Sequence, residues 1–348
     1  MTSGVYFIQI SDYTETKKIN DASLTLLKEI ESENKIKFEK ELPIKVHFGE
    51  KGNTTFIKPE NYVSIINYLK TKTNPFYCET NVLYKGERTF SKTHMKIAKE
   101  HGFTQLPIII ADGDHGENYE EIKINKKHFK ECKIGKIIAN SKQLIVIAHF
   151  KGHMLAGFGG AIKQLGMGCA SRGGKLAMHA QSKPILNPLS CKKCNTCVQH
   201  CPTNACIIST IPHIDYSKCI GCATCIAVCP HDAIKINWAS TTPKSFNEKL
   251  AEYALGATTN KDGTRKKIIF INFVFNITKN CDCHGHPDKI VAKDIGILAS
   301  NDPVALDKAC IDLIRKNEDK KIFGGDNQLT YGEKIGLGTT NYNLIKLT

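Results

Sequence analysis

Apolar residues fall into short runs separated by longer, mixed stretches. Val5–Ile10, Pro43–Gly49, Phe76–Thr80, Pro107–Ala111, Leu144–Phe150 and Lys267–Ile277 read as strands. Between them, spacing near 3.6 residues predicts helices over Lys17–Ser32, Pro59–Lys70, Thr93–His101 and Lys126–Ala139. Pro59 sits where a first helical turn tolerates proline. Ser245 and Glu248 read as a capping box opening a helix that ends at Gly256. Asp302 and Pro303 open another to about Lys316, with Leu306, Cys310, Leu313 and Ile314 on one face. Strands alternating with helices predict an α/β domain built on a mostly parallel sheet. Ligands of such sheets sit beyond the carboxyl ends of the strands. The loops His47–Gly49, Asp112–Gly116 and His149–His153 are expected there.

The alternation breaks after residue 150. Gly157, Gly159, Gly160, Gly166, Gly168, Gly173 and Gly174 follow closely. Their spacing fits neither a dinucleotide fingerprint nor a phosphate loop. An anion on the amides before Ala161–Leu165, or plain close packing, would account for them.

Two matching cysteine runs come next. CKKCNTCVQHCP begins at Cys191 and CIGCATCIAVCP at Cys219, an internal repeat offset by 28 positions. Each is C-x-x-C-x-x-C-x-x-x-C-P, the spacing of bacterial [4Fe–4S] ferredoxins, in which the fourth cysteine of a run serves the other cluster. This assigns one cluster to Cys191, Cys194, Cys197 and Cys229. The other takes Cys219, Cys222, Cys225 and Cys201. A zinc site uses four ligands and leaves half of each run unexplained. Cys206 aligns with Ile234 and is expected to be core. The α/β pattern resumes after Trp238. The organisation is therefore a discontinuous α/β domain, residues 1–185 and 239–348, with a two-cluster ferredoxin-like domain inserted at 186–238.

Composition narrows the setting. The net charge is +14 and the chain holds 48 Lys and Arg, of which Arg88, Arg172, Arg265 and Arg315 are the arginines. Two oxidised clusters with their thiolates would lower that charge to roughly +10. Nucleic-acid readout favours arginine forks, so the lysine excess points to a solvated surface or an acidic redox partner. Fifteen cysteines with no signal-peptide pattern indicate a reducing compartment, the cytoplasm, and metal ligation. The apolar run Ile268–Ile277, interrupted by Asn272 and Asn276, is too short to span a membrane.

A second constellation follows the strand ending near Ile277. Cys281, Asp282, Cys283, His284, His286 and Asp288 crowd into eight residues. Two thiols beside imidazoles can hold an additional metal or act as nucleophiles. His149 and His153 flank a glycine at a strand end, and Arg172 and Arg88 are candidate anion anchors. The candidate site is His149, His153, Arg172, Cys281 and Cys283. Cys78 and Cys132 are expected in the core, in a strand and a helix respectively.

The segments HFGEKGN (47–53), ETNVLYKGER (79–88), IIADGDHGE (109–117), HFKGHMLAGFGGAIKQLGMGCASRGGK (149–175), NITKNCDCH (276–284) and DIGILASNDPVALD (294–307), with the double cysteine run, resemble one family. It is the group of uncharacterised iron–sulfur proteins catalogued as a domain of unknown function with a bacterial-type ferredoxin inserted. Glu79 departs from the pattern, where Asp is expected. The resemblance implies two clusters and anaerobic metabolism, with no settled substrate. The expected function is a cytoplasmic electron-transfer protein. It would be a reductase or redox subunit passing electrons between two [4Fe–4S] clusters and a site in the α/β domain. A redox partner protein and a small-molecule substrate are its expected partners. The alternative is a non-enzymatic carrier or maturation factor docking on a larger redox complex. No flavin or nicotinamide motif is present.

Overall fold

The computed structural model describes residues 2–180, 183–237 and 241–348. Strand β1 (Ser3–Gln9) leads to α1 (Thr16–Glu33), β2 (Glu41–Lys45), α2 (Val63–Lys70), β3 (Asn74–Glu79), α3 (Ser91–Glu100) and β4 (Ile108–Ile110). A hairpin of β5 (Tyr119–Lys123) and β6 (Glu131–Gly135), then short α4 (Lys136–Asn140), precedes β7 (Gln143–His149). The small strands β8 (Lys151–His153) and β9 (Gly157–Gly159) run into α5 (Ala161–Gly166) and α6 (Arg172–Ala180). A satellite unit holds β10 (Ile185–Leu186), α7 (Thr196–Gln199), β11 (Cys206–Ile207), β12 (His213–Ile214), α8 (Thr224–Val228) and β13 (Ile234–Lys235). Then come α9 (Pro243–Ala257), β14 (Lys267–Val274), β15 (Gly296–Ser300), α10 (Pro303–Glu318), α11 (Asn327–Lys334) and β16 (Tyr342–Lys346).

Eight strands form one sheet in the order β16-β1-β15-β14-β7-β2-β3-β4. Only β15 runs against its neighbours; the other pairings are parallel. Strands from both sides of the satellite meet directly, Ile271 of β14 opposite Ile147 of β7. Side chains alternate faces along a strand, and here both faces are apolar. Val146 and Phe270 join α9 and α10 in one core, while Ile145 and Ile269 join α1 and α2 in the other. Burial on both faces is why the central strands read as continuous apolar runs.

The expected helix over Lys126–Ala139 is corrected. Its first part is the turn and return strand of a hairpin, with Ile122 opposite Cys132 and Asn125 at φ 49°. Ile122, Cys132 and Ile134 are buried and period two wins over the scattered lysines. Cys132 is core, as expected, but in a strand. The second corrected feature is the start of α9. Thr242 caps it by accepting from the Ser245 amide, and Pro243 occupies the first turn. Ser245 and Glu248 therefore lie inside the helix. Glu248 instead accepts from Lys127 and His128, 2.6 Å each. Asp302 caps α10 through the Val304 and Ala305 amides, and Cys310 is buried.

The glycine-rich stretch is explained by close approach. A Cβ on Gly173 would meet the Gly221 carbonyl at 3.0 Å, in the satellite, and one on Gly160 would meet Asp307 Oδ1 at 2.3 Å. The amides of Ala161 and Ile162 donate to Asp307 at 2.8 and 2.9 Å, so the anion at this turn is the chain's own carboxylate. Asn272 Nδ2 adds a third donor at 2.7 Å.

Asp307→Ala would leave those donors buried without an acceptor. The expected cost is about 3 kcal/mol, read as a lower urea midpoint at unchanged m. A midpoint within error of the parent would contradict this account of the turn.

Candidate functional site

Strands β2, β3, β7 and β14 are mutually parallel, so their carboxyl ends open on one side of the sheet. A cleft of about 550 Å3 of empty space, mouth included, lies there. Its lining comes from His47 after β2, Glu79 and Thr80 at the end of β3, Val82 and Arg88 beyond it, and His149 and Lys151 around the end of β7. Lys163 of α5, Lys175 of α6, and Cys281 and Cys283 after β14 complete it.

Asp282 fixes the two thiols. Its carboxylate is fully buried and accepts from His149 Nδ1 at 2.9 Å, with Lys151 Nζ at 3.0 Å and Thr55 Oγ1 at 3.3 Å. Burial alone would raise its pKa; the charges of His149 and Lys151 hold it well below the usual carboxylate range instead. With Asp282 turned inward, the residues on either side both reach the cleft. Cys281 is pulled down to about 5, by a hydrogen bond from Cys283 and by the charges of Lys163 and Lys151, against its burial. Cys283 Sγ lies 3.6 Å from His47 Nε2. Burial and the Arg88 charge push His47 down to about 3, so its ring is neutral at pH 7.

Most of the cations already have partners. Lys45 is fully buried, 2.7 Å from Glu79 and 2.8 Å from the Val46 carbonyl. Arg88 contacts Glu50 at 3.3 Å, His47 at 3.0 Å and the Tyr84 hydroxyl at 2.5 Å. Lys175 reaches Thr80, Asn81 and Ala170. The Lys163 ammonium makes no hydrogen bond or ion pair among the described residues.

Of the candidate site from sequence, His149, Cys281 and Cys283 meet at the cleft. His149 also faces the Phe275 carbonyl, 2.8 Å from Nε2, so both ring nitrogens are engaged and its role is to position. His153 does not line the cleft; its Nδ1 caps a turn by accepting from the Leu155 and Ala156 amides. Arg172 does not either. Its guanidinium is fully buried on the carbonyls of Val82, His115 and Thr89, 3.2 and 2.9 Å for the first two. Glu79, Lys163 and Lys175 were not singled out as site residues. A lysine or glutamate carries no local signal that tertiary packing will bury it.

The Asp112–Gly116 turn proves to be a clamp. Asp112 accepts from the Asn81 amide at 2.8 Å and the Arg172 amide at 3.1 Å, and burial pushes its pKa up to about 6. This ties the chain after β3 to the start of α6. Those two segments divide the cleft from the satellite. Val82 and Lys175 line the cleft, whereas Leu83 and Leu176 pack among the satellite's buried cysteines.

The 28-residue repeat is visible in the satellite backbone. Left-handed φ values recur at Lys193 and Gly221, at Asn195 and Ala223, and at Asn204 and Asp232. Strands exchange between halves, β10 pairing with β13 and β11 with β12. Two cavities, each about 320 Å3 of empty space, result. Cys191, Cys194, Cys197 and Cys229 line one; Cys201, Cys206, Cys219, Cys222 and Cys225 line the other. Cys201 and Cys229 accept backbone N–H bonds from Ala205 and Ala233 at 3.1 and 3.3 Å. Four sulfurs around a cavity suit a multi-iron cluster. Among the described residues, no three or more His, Cys, Asp or Glu side chains gather closely enough for a single metal ion. Cys206 is buried in the satellite core and lines the second cavity beside the four cysteines assigned to a cluster there. Trp238, the expected end of the insert, lies outside the described residues.

Site-resolved alkylation tests the thiol electrostatics. Cys281 should react with iodoacetamide along a pH profile rising near 5, instead of about 8.5 for a free thiol. Lys163→Gln should move the profile to higher pH. A parent profile centred near that of a free thiol would contradict the arrangement.

Comparison with known proteins adds a family. Residues 43–312 match the family profile described as Domain of unknown function (DUF362). No curated protein matches the chain. A crystal structure of a Thermotoga maritima protein, solved as a structural genomics target, is 10% identical with a TM-score of 0.45, covering 90% of this chain and 61% of that one. The lactate racemase apoprotein from Thermoanaerobacterium thermosaccharolyticum is 16% identical with a TM-score of 0.32, covering 52% and 42%. The chain thus spans about three-fifths of the Thermotoga protein's length. With well over half of its residues matched, the chain belongs to the Domain of unknown function (DUF362) family.

Proposed function

We propose that this chain is an iron–sulfur redox protein, a reductase or redox subunit, in which a two-cluster ferredoxin-like insert serves the cleft of the α/β domain. The observation that carries this reading is the partition they share. Consecutive residues, Val82 with Leu83 and Lys175 with Leu176, face the cleft on one side and the cysteine core on the other. One layer of chain separates the two.

Cys191, Cys194, Cys197 and Cys229 would hold one [4Fe–4S] cluster, and Cys219, Cys222, Cys225 and Cys201 the other. When bound, the clusters supply reversible single-electron transfer. The chain's own residues do the rest. Arg172 and Asp112 keep the partition rigid. Lys163, whose ammonium has no partner among the described residues, gives the cleft a positive charge suited to a small anionic substrate.

An external redox partner has a surface to meet. Ile185, Leu189, Ile211, Tyr216 and Ile220 of the satellite are all exposed, with Leu189 94% accessible. Lys192 and Lys193 are exposed beside them and suit an acidic rim on the partner. These exposed residues also favour the second reading, a non-enzymatic carrier or maturation factor docking on a larger complex. Turnover of a small molecule separates the two. So many free cysteines suit a reducing compartment, the cytoplasm. Among the described residues no helix is long and apolar enough to cross a membrane.

Anaerobically prepared protein should carry about eight iron and about eight acid-labile sulfides per chain. Cys197→Ala and Cys225→Ala should each lower both by about half. Stoichiometric zinc with little sulfide would overturn the reading.

A further inference from the structure

Cys281 and Cys283 differ from the other cysteines outside the satellite. Cys78, Cys132, Cys169 and Cys310 are shut in the core, with pKa values raised by burial. Cys281 and Cys283 both line the cleft and flank the pinned Asp282. Two residues of chain span at most about 7 Å, close to the Cα separation a disulfide requires. Lys163, the cleft lysine whose ammonium has no hydrogen bond or ion pair among the described residues, is close enough for its charge to act on both sulfurs.

We infer that Cys281 and Cys283 form a redox-active dithiol that reduces a small disulfide carrying an anionic group, which Lys163 seats. This rests on the proposed redox reading and names its substrate class. The Cys281 thiolate attacks one sulfur of the substrate, and the substrate S–S bond breaks. One thiol product leaves with a proton taken from solvent, and the other half remains joined to Cys281. Cys283, losing its proton, then attacks the Cys281 sulfur and releases the second thiol. A Cys281–Cys283 disulfide remains. Two electrons have passed from the protein thiols to the substrate, and the protons end on the two products. Restoring the dithiol takes two electrons and two protons, from solvent and the external one-electron donor protein of the proposed reading.

The probe is oxidised glutathione, added to the anaerobic full-length protein. Reactions are quenched with iodoacetamide and digested for mass spectrometry. The peptide holding both cysteines should lose about two mass units, with about two thiols released per chain. Cys283→Ser should stop with one glutathione attached to Cys281. Lys163→Gln should slow the reaction with oxidised glutathione about tenfold, one charge-assisted contact. At a pH well above the thiol profiles of both proteins, the uncharged hydroxyethyl disulfide should react with both alike. Full alkylation of both thiols after excess probe would overturn the dithiol. Equal slowing with both probes would overturn the anion seat. Metal and sulfide analysis of the same sample keeps the two readings apart. A chain without iron that still exchanges loses the redox reading and keeps the dithiol. A chain with full iron and inert thiols loses the dithiol alone.

Discussion

The carboxylate of Asp282 holds the site together. It is buried without solvent and would be costly there unpaired. His149 from the end of β7, Lys151 just beyond it, and Thr55 from the loop after β2 all converge on it. That one anion joins two strand ends to the loop after β14. It also orients its own neighbours, because fixing the middle residue of Cys281-Asp282-Cys283 fixes the thiols on both sides. The depressed Cys281 thiol follows from this geometry, with Cys283 and Lys163 brought beside it.

The second constraint is the partition between cleft and satellite. Buried Arg172 spends its donors on backbone carbonyls and buried Asp112 spends its oxygens on backbone amides. Both groups therefore stiffen the chain segments that face two ways. Neither is available to a ligand. The gain is a thin, ordered boundary between a cavity-forming cysteine unit and a cationic cleft, which is what a redox protein with two communicating sites needs.

Much of this was legible in the sequence where the signal was local or periodic. The alternation of apolar runs with amphipathic stretches fits the central sheet, and the Asp302 cap needs only its own next residues. The 28-residue cysteine repeat reappears as repeated left-handed backbone at matched positions. What escaped depended on distant partners. The Lys126–Ala139 stretch carries lysines at helical spacing, yet Ile122 and Ile134 bury as a hairpin against α9. The anion at the start of α5 is Asp307, far downstream in the chain. Arginines are rare here, which makes Arg172 read as an anion anchor; its carbonyl partners come from two separate loops. Lys163 sits in a run of glycines with nothing local to mark it.

The central claim is that the cysteine unit and the cleft act as one redox system. The most direct test is to reduce the protein anaerobically, remove the reductant, and mix it with oxidised glutathione while following its visible absorbance. The account predicts that colour returns in step with thiol release. In the Cys281→Ser, Cys283→Ser double variant, with unchanged iron content, colour should return much more slowly. Equal rates in both proteins would contradict it.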